Sequence, residues 1–130
     1  MRPSFPHSDT INMALVHRLQ EGLPTTVVDS LIKHKALTRQ ELYTLIPPRT
    51  WARRVKEHRL NPDESEKIAM VERIIDFAEK VFGDKSKAFQ WLRTPNHSFE
   101  NQRPFDFIQT ETGRRLIETI LGRIQHGIYS

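Results

Sequence analysis

Arg49, Thr50, Arg53, Arg54, Lys56 and Arg59 fall within eleven consecutive positions of this chain. Guanidinium and ammonium groups at that density suit phosphate oxygens, and arginine near the start of a helix suits guanine edges in a major groove. The segment RTWARRVKEH, residues 49–58, predicts a basic helix with Trp51, Ala52 and Val55 turned to the core. Arg49, Arg53, Arg54 and Lys56 are then left outside. In a helix-turn-helix, Arg49, Thr50 and Arg53 are expected at base edges, with Arg54, Lys56 and Arg59 at phosphates. A solvated basic face on a core helix produces the same charge run.

No other constellation points to chemistry. The six histidines (His7, His17, His34, His58, His97, His126) form no HExxH pair and no spacing with carboxylates that favours a metal. No nucleophile elbow or glycine-rich phosphate loop is present. Asp63, Glu64 and Glu66 cluster, but a helix N-terminus attracts acidic residues for electrostatic reasons alone. With no cysteine, thiolate nucleophiles, thiolate zinc sites and disulfides are excluded. A non-enzyme is expected, with no cofactor and no metal.

The elements that would position the basic helix are legible from caps and periodicity. Ile11–Glu21 predicts a helix with Leu15, Val16 and Leu19 on one face, opened by Asp9 or Thr10 and stopped by Gly22. Thr25–Lys33 predicts a second, with Val27, Val28, Leu31 and Ile32. Thr38-Arg39-Gln40-Glu41 is a capping box opening a third, whose buried side is Leu42, Leu45 and Ile46. Pro47-Pro48 then forces a turn into the basic helix. The longest helix runs from Asn61 to Phe82, with Asn61 as cap, Pro62 in its first turn and Glu64 able to close a second capping box. Its two apolar rows predict burial on two sides. Gly83 ends it, and Asp84 caps Lys85–Leu92. His97–Arg103 reads as a polar loop, and Pro104 begins a turn holding Phe105, Phe107 and Ile108. Thr110 or Thr112 caps a last helix reaching His126, with Leu116, Ile117, Ile120, Leu121 and Ile124 on its apolar face.

The fold class is therefore all-α. A helix-turn-helix half, residues 1–60, is joined by the long helix to a second helical half within residues 61–130. Charge supports the division: the first 60 residues carry ten Lys/Arg against five Asp/Glu, and the remainder ten against eleven. A polyanion is thus expected to meet the first half only. No apolar run approaches the roughly 20 residues of a membrane span, and Met1–Asp9 lacks a signal-peptide core. The expected compartment is the cytoplasm, with no membrane partner.

Several segments together resemble the Xre-like antitoxins of the MbcA/ParS type, the partners of RES-domain toxins. These are PPRTWARR at 47–54, RLNPDESEKI at 59–68, FGDKSKAFQWLRTPN at 82–96 and LGRIQHGIYS at 121–130. The resemblance covers about Gly22 to Ser130 and implies a type II toxin–antitoxin system. Such proteins bind operator DNA through the helix-turn-helix, dimerise, and neutralise a toxin that consumes NAD by lodging their C-terminal end at its substrate pocket. On this chain the toxin-facing positions are then Arg123, His126, Gly127, Ile128, Tyr129 and Ser130. A terminal carboxylate is suited to cationic groups that otherwise hold a dinucleotide's phosphates. Where relatives often carry glycine before the Pro104 turn, this chain has Glu100-Asn101-Gln102, and Asn101 is the residue suited to a left-handed conformation. A transcription regulator that uses its second half only to dimerise, and an adaptor that binds no DNA, are the rival expectations.

Overall fold

The computed structural model describes residues 11–127, which form seven α-helices and two 3-10 turns with no strand among the described residues. The chain divides into two compact units, Met1–Met70 and Val71–Ser130. The division falls inside the fifth helix, α5, Pro62–Phe82.

In the first unit, α1 (Met13–Glu21) begins two residues later than the apolar pattern suggested. Asn12 is its cap, its Oδ1 accepting the Leu15 N–H at 3.1 Å; Asp9 and Thr10 lie outside the described residues. Gly22 ends α1 at φ 91°, and a Cβ there would lie 2.2 Å from the Leu60 carbonyl oxygen, so the position requires glycine. That close approach belongs to a short antiparallel bridge between Pro24 and Arg59. Leu60 N–H donates to Leu23 O at 2.9 Å, and Leu23 N–H donates to Ser65 Oγ at 2.8 Å. The chain leaving the basic helix is thereby stitched to the turn before α2 (Thr26–Lys33).

Helix α3 (Arg39–Leu45) opens on the expected capping box: Glu41 N–H donates to Thr38 Oγ1 at 3.1 Å and Thr38 N–H to Glu41 Oε1 at 2.9 Å. Two prolines then separate it from α4 (Pro48–Glu57), with Pro48 at the first helical position, where no donor is lost. The core of this unit is made by Val27, Val28, Leu31, Leu42, Leu45, Ile46, Trp51 and Ile68, all buried.

The second unit holds the rest of α5, then α6 (Lys85–Leu92), 3-10 turns at His97–Phe99 and Pro104–Phe107, and α7 (Glu111–Gln125). Asp84 and Thr110 cap α6 and α7, accepting the N–H groups of Lys87 at 2.7 Å and Gly113 at 3.0 Å. Four aromatic rings form a ladder, Phe82–Trp91–Phe99–Phe107, with centroids 5.6, 5.9 and 5.7 Å apart. Trp91 is half-buried within it.

Two expectations are corrected here. The segment His97–Arg103 is not simply a polar loop, because Phe99 is among the most deeply buried side chains of the described residues. The loop can bury it because Asn96 closes the turn: its side chain accepts the Ser98 N–H at 2.8 Å and its N–H donates to Gln102 O at 3.0 Å. Asn101 takes the left-handed conformation expected of it (φ 63°), and Glu100 takes it too (φ 56°). Leu116, placed on the apolar face of α7, is 39% exposed. The buried face is Gly113, Arg114, Ile117, Ile120 and Leu121, and at about 100° per residue Leu116 falls roughly 100° from its centre.

Candidate functional site

The geometry of α4 follows from which of its side chains find partners inside the first unit. Trp51 is buried, and Arg54, one turn later, also points inward with its side chain 15% exposed. Arg54 Nε donates to Glu64 Oε1 at 2.7 Å and a terminal nitrogen donates to Glu57 Oε1 at 3.0 Å. Hydrogen bonding to Glu64, and next to Glu57, pushes the Arg54 guanidinium above its ordinary pKa. Val55 is 42% exposed and Ala52 is exposed. The expected inner row Trp51–Ala52–Val55 is therefore corrected to Trp51–Arg54. Apolarity favoured Val55, but a carboxylate from α5 lets an arginine take the inward place, charge paired with charge.

The other predicted groups separate cleanly. Arg49, Arg53 and Lys56 are exposed and Thr50 is half-exposed. At about 100° per residue, Arg49, Arg53 and Lys56 fall within about 60° of one another, opposite the Trp51–Arg54 face. That is an outward cationic stripe at the spacing a groove-bound helix needs. Ala52 and Val55 flank it, giving the stripe an apolar edge that sequence reasoning missed. The signal for them was the equal standing of three- and four-residue spacings from Trp51. Arg59 is used within the chain, donating to Gly22 O at 2.6 Å and Glu21 O at 3.4 Å.

At the other end of the chain, α7 closes with His126 N–H bonded to Gly122 O and Gly127 N–H to Ile124 O, both at 3.1 Å. Gly127 takes φ 70°, the left-handed conformation in which helices commonly end. Arg123, His126 and Gly127 are all exposed. Ile128, Tyr129 and Ser130 lie outside the described residues. Among the described residues, no group of three or more His, Asp or Glu side chains is placed to hold a metal, and no helix is long and apolar enough to cross a membrane.

The comparisons with known proteins divide the chain along similar lines. Residues 14–73 match the antitoxin Xre-like helix-turn-helix domain, which contains the α3–turn–α4 arrangement and its stripe. Residues 77–127 match the antitoxin Xre/MbcA/ParS C-terminal toxin-binding domain. Among curated proteins, the chain is 35% identical over 120 residues to an Antitoxin Xre of Yersinia enterocolitica, covering 89% of this chain and 81% of that one. It is 33% identical over 130 residues to an Antitoxin Xre of Photorhabdus laumondii, covering 97% and 86%. An Antitoxin Xre of Pseudomonas putida is 32% identical over 111 residues, covering 85% and 70%. With a helix-turn-helix domain, a toxin-binding domain and relatives that span most of its length, this chain belongs to the Xre antitoxin family.

Proposed function

We propose that this antitoxin neutralises a RES-domain toxin that consumes NAD, and that as a homodimer in the cytoplasm it represses its own operon. The DNA-facing work falls to residues 1–60 and the toxin-facing work to residues 61–130. Helix α4 lies in the major groove, with Arg49, Thr50 and Arg53 at base edges and Lys56 at a phosphate. The toxin is met near its substrate pocket by Arg123, His126 and Gly127, and by Ile128, Tyr129 and Ser130.

The observation that carries this proposal is the match of residues 77–127 to a toxin-binding domain, combined with exposed Arg123, His126 and Gly127 at its end. The cationic stripe supports the DNA-binding half in the same way. The test is a stop codon in place of Ile128, with toxin binding and operator binding measured on the same preparation. The truncated chain is expected to hold DNA as before and to lose most of its neutralising power. Full neutralisation by the truncated chain would sink the tail's role.

A further inference from the structure

Arg54 differs from its neighbours on α4 in having no outward work. Its guanidinium is held between Glu57 on its own helix and Glu64 in the first turn of α5. The Glu64 oxygen that receives Arg54 Nε, Oε1, also accepts the Asn61 N–H at 3.0 Å, while Asn61 Oδ1 accepts the Glu64 N–H at 2.7 Å. One buried carboxylate thus closes the capping box of α5 and grips α4 at the same time. The connection between the helices is only residues 58–61, with His58 in the left-handed conformation at φ 62°. The two helices are tied across it by a charge-assisted bond rather than by apolar contact alone.

Resting on the proposal that α4 enters the major groove, we infer that Arg54 is a positioning residue for DNA recognition. Tied to the N-terminus of α5, it fixes the rotation at which α4 presents Arg49, Thr50 and Arg53, and it touches no phosphate. The geometry is sensitive. Side chains extend about 5–6 Å from a helix axis, so a rotation of about 10° moves their tips about 1 Å, enough to spoil a hydrogen bond to a base edge. Glu57, on α4 itself, fixes the plane of the guanidinium, and Nε then makes the one bond across to α5, an arrangement a lysine ammonium does not reproduce.

The test measures binding of the full chain to DNA from upstream of its own gene and to unrelated DNA, by fluorescence anisotropy across a salt series. Arg54→Ala is expected to lower the preference for the upstream DNA by about tenfold, the scale of one spoiled base contact. Its dependence on salt stays unchanged, because no phosphate contact is lost. Lys56→Ala is the control, expected to reduce the salt slope by about 1 while preference holds. Glu64→Gln keeps an acceptor for the Asn61 cap but removes the charge, and it carries the test if Arg54→Ala does not fold. Combining the two substitutions is expected to cost no more preference than Arg54→Ala alone, since both break one link. A reduced salt slope in Arg54→Ala with preference intact makes Arg54 a phosphate contact and overturns the inference. So do unchanged preference in both variants, or fully additive losses. If the unaltered chain shows no salt-dependent preference for the upstream DNA, it is the proposed DNA binding that fails.

Discussion

Replacing Gly113 with alanine and replacing Gly122 with alanine are the same change on the same helix, and the structure assigns them opposite signs. A Cβ at Gly113 would sit 2.0 Å from the backbone oxygen of Phe107, whereas one at Gly122 meets nothing within 4 Å. In an open helical position, alanine is better than glycine by about 1 kcal/mol. Gly122→Ala is therefore expected to stabilise by about that amount. At Gly113 the gap to a tolerable 3.0 Å is 1.0 Å against backbone, so the first turn of α7 must shift. The shift disturbs the Thr110 cap, worth about 1 kcal/mol. It also disturbs the bond from buried Arg114 to the Ile108 carbonyl, 2.7 Å long, and a bond of that charged kind is worth about 1.5–3 kcal/mol. Less the helix gain, Gly113→Ala is expected to cost about 1.5–3 kcal/mol, a fall of about 6–24 °C in the melting of the second unit. Thermal unfolding followed by circular dichroism reads both variants. Equal melting temperatures for the two would refute the reasoning, because crowding at Gly113 and open space at Gly122 are what set the two signs.

Other consequences can be checked with similar means. Thr38→Ala removes the acceptor of the Glu41 N–H and is expected to cost about 1 kcal/mol, read as a lower melting temperature; an unchanged melt contradicts the capping account. Arg103 holds the Asp106 carboxyl below its ordinary value of 3.8, chiefly by side-chain hydrogen bonding. A depressed carboxylate stabilises the fold above its ordinary value, and that contribution is lost as pH falls through the lowered one. Asp106→Asn is accordingly expected to differ from the unaltered chain above pH about 4 and to converge with it in stronger acid. A difference that is constant with pH contradicts the pairing.

How much of this was legible in the sequence depended on the range of the interaction. Capping at Thr38, Asn61, Asp84 and Thr110 rests on side chain and backbone three residues apart, so spacing alone announces it. The toxin-binding domain came from specific motifs such as WLRTPN, which periodicity cannot supply. What spacing missed was settled by distant partners. Arg54 displaced Val55 from the inner face because Glu64, ten residues away, offers a carboxylate. Phe99 was hidden in a polar run because its burial depends on Asn96 folding that run back on itself. Leu116 was drawn to the apolar face of α7 by its type, but the Phe107 carbonyl sets the helix down on Gly113 instead. In each case a polar backbone or charged group decided an orientation that hydrophobicity alone misplaced.

The most direct test of the proposed function is the rate of NAD loss catalysed by the product of the adjacent gene, measured alone and then with this chain added in increasing ratio. Neutralisation predicts that the neighbour consumes NAD by itself and that consumption stops once the antitoxin saturates it. A neighbour that binds this chain yet leaves NAD untouched, or that consumes NAD at an undiminished rate in its presence, would contradict the account.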